Sequence, residues 1–244
     1  MTDPRGETHL RQEVWPTRSG ALIFPALDEV PPGERAEAVM SGVAPGSAVI
    51  INDEKVRLEL LARGAREVRH LHTMRHALRD LRRVPAIPGL ALRGWRSGDA
   101  ERLAPVLVAA YGPEHPDPTP PDLTTAAASL TDLVEDPDNP LMSAASQVAL
   151  LEGQAVGAAL ILRSQHIARW RGPWLMNMFR APDPAVPGIG GAMLTRALDV
   201  LSADGEPHLG LAVTSTNPAR RVYEGLGFEY DSEAWVFLTG EADH

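Results

Sequence analysis

The 244-residue sequence contains no cysteine. That absence excludes disulfides, thiolate nucleophiles, cysteine-ligated zinc and iron–sulfur clusters together. Aromatic residues are scarce, at 5%. Lysine is nearly missing: Lys55 is the sole one, and every other positive side chain is an arginine. Long apolar runs are missing too. The longest, Ala155 to Leu162, is too short to cross a bilayer. The first twenty residues carry Asp3, Glu7, Glu13 and several arginines, so they have no apolar signal core. These absences lead to the expectation of a soluble, cytoplasmic protein with no membrane partner.

What is present is ordinary for a globular chain: 44% apolar and 23% charged residues, far from a disordered composition. At roughly 100–200 residues per domain, the length allows one large domain or two small ones. The net charge of −9 is unevenly spread. Residues 1–88 hold 13 Lys+Arg against 12 Asp+Glu, and residues 89–244 hold 10 against 20. An acidic main body argues against nucleic-acid binding, which needs a positive surface to displace phosphate counterions. It is compatible with a cationic substrate, and equally with solubility alone.

The charge shift falls at Val84-Pro85-Ala86-Ile87-Pro88-Gly89, which cannot continue a helix and reads as a linker. Beyond it, Leu90 to Leu92 is a strand and Asp99 to Tyr111 a helix, with Leu103, Val106, Leu107 and Ala110 at helical spacing. Five prolines between Pro113 and Pro121 predict a stiff, extended loop. Leu123, Ala127, Leu130 and Val134 mark a second helix. Gln147–Leu151 and Val156–Arg163 form a hairpin around Glu152-Gly153, followed by a strand at Trp174–Phe179. A helix runs from Gly190 to Ser202, and Leu209, Leu211 and Val213 alternate as a strand. Asn217 caps a helix with Pro218 first and Gly227 at its end. Trp235 to Leu238 closes as a strand. The order is βααβββαβαβ, an α/β sheet.

Residues 1–88 weakly echo the end of that series. Val49-Ile50-Ile51 is a strand, Asn52 caps a helix, Gly64 ends it, and Val68 to Leu78 is a strand. The stretch from Arg66 to Arg83 also carries His70, His72 and His76. A metal site there needs a carboxylate or another ligand from elsewhere in the fold, and the plainer reading is a strand followed by a solvated helix. Glu67 and Asp80 interrupt the run, which speaks against a nucleic-acid stripe.

Two local features carry chemistry. Val186-Pro187-Gly188-Ile189-Gly190-Gly191 follows a strand and opens a helix. Glycines let a backbone approach an anion, and a helix N-terminus offers free N–H groups and a positive dipole. A dinucleotide fingerprint is not met, because Met193 stands where its third glycine or small residue belongs. The P-loop, nucleophile-elbow and His-Glu-x-x-His patterns are absent from the sequence. The second feature is Asn217-Pro218-Ala219-Arg220-Arg221-Val222-Tyr223-Glu224-Gly225-Leu226-Gly227-Phe228. This segment resembles the C-terminal motif of the GNAT superfamily of acyl-CoA-dependent N-acyltransferases: an Asn, an Ala, then Tyr-Glu-x-x-Gly-Phe. The glycine loop lies one helix and one strand upstream, as in that family. The resemblance covers about residues 89–240.

The resemblance implies a mixed, mostly antiparallel sheet flanked by helices, with acetyl-CoA as cosubstrate lying in a splay between two parallel strands. Backbone groups around Met178, Phe179 and Arg180 would hold the pantetheine arm. The N–H groups of Val186, Gly188, Ile189, Gly190 and Gly191 would hold the pyrophosphate, and Asn217 would help to position the cofactor. Tyr223 would be the catalytic acid for the departing CoA thiolate, a task that suits a phenol neutral at pH 7. The acceptor amine attacks directly, so no enzyme nucleophile and no metal is called for. The acceptor would be a small-molecule or peptide amine, with Glu114, His115 and Asp117 of the proline loop near it. Asp183, Glu114, His115, His166 or a water chain could serve as general base. Trp170, Trp174, Met176 and Met178 read as packing residues, with substrate stacking as the alternative for the tryptophans. Arg220 and Arg221 read as CoA-phosphate partners or as plain surface charges.

The sequence departs from the family's pattern in two places. Ala185 stands where Arg or Gln is usual, and Pro187 brings no N–H. Both weaken the anion cradle and leave a non-catalytic CoA or small-ligand sensor as the alternative function. The echo in residues 1–88 lacks both motifs: Pro31-Pro32-Gly33-Glu34 stands in place of the glycine loop, and Leu58 stands where Tyr would be. The chain therefore resembles tandem GNAT proteins, with a partial, degenerate GNAT-like domain over 1–88, a catalytic domain over 89–244, and one cofactor site.

Overall fold

The structure, a computed structural model, describes residues 10, 12–17, 20–112, 115, 122–165, 171–182 and 187–239. Two compact units make up the chain. One comprises residues 1–72 and 232–244, the other residues 73–231.

The first unit begins with β1 (Gln12–Thr17) and β2 (Gly20–Pro25), an antiparallel hairpin in which Thr17 pairs with Gly20. A 3₁₀ turn at Leu27–Glu29 leads to α1 (Arg35–Gly42), then β3 (Ala48–Ile51), α2 (Glu54–Ala62) and β4 (Arg66–His76). The last strand of the chain, β10 (Glu229–Leu238), pairs antiparallel with β3, Trp235 opposite Ile51. The strand order here is β1-β2-β3-β10-β4. The boundary between units falls inside β4 and β10, so both strands contribute residues to each. Val39, Val56 and Leu60 from the helices and Val49, Ile51, Trp235 and Phe237 from the strands form its core. Val56 and Leu60 lie one helical turn apart, which puts both on the buried stripe of α2.

Asp53, rather than the expected Asn52, caps α2, with its side chain accepting from the Lys55 and Val56 N–H groups. A carboxylate one residue later reaches two free donors and also takes the Arg35 guanidinium at 2.9 Å. Gly64 ends the helix with φ at +82°, as expected.

The second unit follows the sequence order closely: β5 (Leu90–Gly94), α3 (Asp99–Ala110), α4 (Leu123–Val134), β6 (Gln147–Leu151), β7 (Gln154–Ser164), β8 (Gly172–Arg180), α5 (Ile189–Ala203), β9 (Leu209–Thr214) and α6 (Arg220–Leu226). Its strand order is β4-β9-β8-β7-β6-β5. β5 to β8 are antiparallel neighbours, and β8 and β9 run parallel. Glu152 and Gly153 both take positive φ, the turn geometry that a two-residue hairpin demands.

Successive side chains of a strand point to opposite faces, and here both faces are apolar. Val148, Ala158, Leu160 and Phe179 pack against α3 and α4. Ala149, Ala159, Ile161 and Leu175 pack against α5 and α6. β5 is clamped to the start of α3 by Arg93, whose two N–H groups reach the Asp99 carboxylate at 2.7 and 2.6 Å, while the Arg96 N–H adds a third bond. Burial pushes the Asp99 carboxyl up, but those three bonds outweigh it and the group lies below its ordinary value.

The segment after β4 departs from expectation. No helix follows His76; residues 77–89 run without regular structure. They form a strap tied to α5 and α6. The Leu78 carbonyl accepts from the Ser202 hydroxyl, and Arg83 pairs with Asp199. The Arg82 guanidinium donates to the carbonyls of Glu224 and Gly225 at the end of α6, where the helix dipole favours a cation. Val84 and Ile87 of the expected linker pack against the α5 side of the sheet. Pro85, Pro88 and the positive φ of Leu78 and Asp80 are incompatible with a helix.

Candidate active site

The site is built where β8 and β9 part. They pair at Trp174–Gly210 and Leu175–Leu211, and among the described residues no β8–β9 pair follows. A bulge explains the parting. On the other side of β8, Asn177 pairs with Leu160 and Leu175 with Ile161, so Met176 is an extra residue. A bulge bends its strand and ends regular pairing. Met178, Phe179 and Arg180 lie beyond it, paired to β7 only. Trp174, 2% exposed, anchors the first of these two pairs. A Cβ on Gly210 would lie 2.3 Å from its ring, so only glycine fits there.

α5 begins beside this gap. Gly188, at φ +93°, is its N-cap, and no side chain caps the helix. The first helical bond runs from the Ala192 N–H to the Gly188 carbonyl, so the first-turn N–H groups have no partner within the helix. Gly190 faces β8: a Cβ there would lie 3.7 Å from the Met178 Cε. Gly191 lies against the strap, where a Cβ would come within 3.3 Å of Val84. The glycines thus bring an uncapped helix end against the open edge of β8. Ile189, 3% exposed, is a core residue, so its backbone alone is offered to a ligand. Pro187 is exposed and Val186 lies outside the described residues.

α6 supplies Tyr223. The ring is 7% exposed and belongs to the same apolar cluster as Ile189, Met193 and Met178. Phe228 stands 5.8 Å from it, centroid to centroid. Gly227, at φ +100°, ends the helix, and the Phe228 N–H returns to the Tyr223 carbonyl. Asn217 is committed to the turn before the helix. Its side-chain oxygen accepts from the Ala219 N–H at 2.9 Å, and its carbonyl accepts from Arg220. Regular α-helix begins at Arg220 rather than at Pro218, because the first turn closes with tighter i→i+3 bonds. Arg220 pairs with Glu224 at 3.1 Å, and Arg221 is exposed.

The remaining expected residues divide in two. Met178 is half-buried beside Gly190, Phe179 is buried on the opposite face among α3 and α4, and Arg180 is exposed. His115 stacks at 4.4 Å against Tyr111, whose hydroxyl donates to the Asn177 side-chain oxygen at 3.1 Å. Glu114, Asp117, His166, Trp170, Asp183 and Ala185 lie outside the described residues. Asn177 and Tyr111 were missed by sequence reasoning. The signal was there: an amide inside the apolar run Trp174–Phe179 needs a partner.

Comparisons with solved structures agree with this architecture. A GCN5-related N-acetyltransferase from Sphaerobacter thermophilus superposes with a TM-score of 0.62 at 18% identity, covering 100% of this chain and 81% of that one. Another from Kribbella flavida gives 0.59 at 16% identity, over 91% of this chain and 82% of that one. A tandem GNAT protein from the clavulanic acid biosynthesis pathway gives 0.61 at 12% identity, over 99% and 82%. The chain has the GNAT fold. The resemblance carried by the Asn217–Phe228 motif is borne out at the level of fold. No family model and no curated protein matches the sequence. No helix among the described residues is long and apolar enough to cross a membrane.

Proposed function

We propose that the protein is an acetyl-CoA-dependent N-acetyltransferase whose catalytic GNAT domain is residues 89–244, with residues 1–88 a partial, degenerate copy. The observation that carries the reading is the meeting of an uncapped, glycine-opened helix with the freed edge of a bulged strand. An extended thioester cofactor with a pyrophosphate needs both: backbone partners along its arm and N–H donors at its phosphates. The cradle fits the group, since Gly190 leaves open the space a side chain would fill toward Met178.

Bound acetyl-CoA would supply an activated acyl group. The backbone of Met178, Phe179 and Arg180 would hold its arm, and the N–H groups of Gly188, Ile189, Gly190 and Gly191 its pyrophosphate. Asn217 fixes the turn that presents α6, and so positions Tyr223. The acceptor nitrogen forms its bond to the acyl carbon as the carbon–sulfur bond breaks. Tyr223 Oη gives its proton to the sulfur, and the proton lost by nitrogen leaves through a base or water. Asn177 lies on β8 just past the bulge, with the Tyr111 hydroxyl bonded to it and His115 against the Tyr111 ring, and these three are assigned to the acceptor side, where the resemblance also puts Glu114 and Asp117. The acidic balance of residues 89–244 favours a cationic amine.

Pro187 favours a second reading, a CoA-binding sensor without turnover, because it withdraws one donor from the cradle. Thiol release from acetyl-CoA with a panel of small and peptide amines separates the two. Amine-dependent release supports the enzyme. CoA-dependent thermal stabilisation without release from any amine supports the sensor.

A further inference from the structure

His70 and His72 are two residues apart on β4 and therefore project from the same face. The neighbouring strand β10 places Glu233 and Trp235 beside them in the same way, all within the first unit. The Glu233 Oε1 lies 3.6 Å from the His70 Nε2 and 3.7 Å from the His72 Nε2. One ligand atom from each of the three residues lies within 4.8 Å of the others, the one such grouping among the described residues. From these features we propose a binding site for a divalent transition-metal ion of the zinc type, held by His70 Nε2, His72 Nε2 and Glu233 Oε1, with its remaining coordination position open to water.

Three observations carry it. First, the nitrogen–oxygen distances are too long for hydrogen bonds and close to the spacing an ion imposes. Two ligands at about 2.0–2.1 Å from a tetrahedral metal stand about 3.4 Å apart. Second, the His70 Nε2 is buried and takes no hydrogen-bond partner, an orphaned polar atom aimed into the cluster, which a buried nitrogen does not ordinarily tolerate. Third, the rings are held in place before any ion arrives. His70 stacks on Trp235 at 5.5 Å with an 11° tilt, and His72 meets the His70 ring edge-on at 5.1 Å. Arg57, the cation over Trp235, is itself bound to Glu67 at 2.7 Å, so its charge is offset. Two imidazoles and one carboxylate select zinc, nickel, cobalt or copper over magnesium and calcium, which take oxygen ligands.

The local sequence around the histidines lacks the further ligand that a metal site needs, and the fold supplies it as Glu233, from the far end of the chain. The test uses chelator-stripped, tag-free full-length protein titrated with Zn²⁺ alone by calorimetry, and with Co²⁺ alone by visible absorption. One ion per chain is expected, with affinity falling roughly a hundredfold in Glu233→Gln and in His72→Ala, at least what loss of an outer partner causes. Glu233→Gln preserves shape and decides the matter if His72→Ala does not fold. Absence of stoichiometric binding, or binding equally tight in Glu233→Gln, overturns the proposal.

Discussion

Burial holds the His76 imidazole below its ordinary value, helped by Arg82 and opposed by the Leu226 carbonyl and Glu229. Its Nδ1 accepts from the Leu78 N–H at 2.9 Å, a bond only the unprotonated nitrogen can accept, and its ring lies under Gly227 at the end of α6. The unfolded chain therefore binds a proton near pH 6.5 that the folded chain refuses. Stability from His76 is full above that pH and declines as pH falls below it. His208, also held low by burial first and by Arg75, acts with the same sign. Urea unfolding from pH 8 to pH 5 is expected to show falling stability. His76→Asn, whose side-chain oxygen replaces the Nδ1 acceptor, flattens that slope; an unchanged slope would remove His76 from this role. Some residue roles were legible in the sequence and others were not. Gly64 and Gly227, which end their helices at positive φ, carry local patterns of cap and turn. Tyr111 and Asn177 meet only through the fold, as do His70 and Glu233, and no local spacing announces such pairs.

The elements of the second unit were legible for a physical reason. Each helix has a periodic apolar stripe, and each strand is bounded by turn residues. The strap at residues 77–89 was not, because its order comes from bonds to Ser202, Asp199 and the α6 carbonyls, all distant in sequence. The hairpin β1–β2 escaped as well, since two short strands with little alternation resemble loop. The bulge at Met176 leaves no mark in composition, yet it opens the strand edge on which the site depends. The joined pair before that opening gives a prediction. Gly210→Ala puts a methyl group against the Trp174 ring, and overpacking of this kind costs about 1–3 kcal/mol. Chemical denaturation is expected to show that loss, and Trp174→Leu in the same chain should recover part of it. Additive losses in the double variant would mean that Trp174 and Gly210 do not constrain each other.

At the scale of the molecule, the fold was legible because two motifs a helix and a strand apart agreed, and either alone is weak. The proposed division into a degenerate part and a catalytic part rests on what the sequence of residues 1–88 lacks: a glycine loop, and a tyrosine where Leu58 stands. It predicts one CoA per chain. Calorimetric titration of the full-length protein with CoA should return a stoichiometry of one, and two equivalent sites would contradict the degenerate reading. The central claim is catalysis through Tyr223, and the rate of CoA thiol release from acetyl-CoA in Tyr223→Phe tests it most directly. With an amine that the wild-type protein acetylates, turnover should fall by about 10²–10⁴-fold, while CoA still raises the melting temperature of the variant as it does in the wild type. Unchanged turnover in the variant would contradict the account.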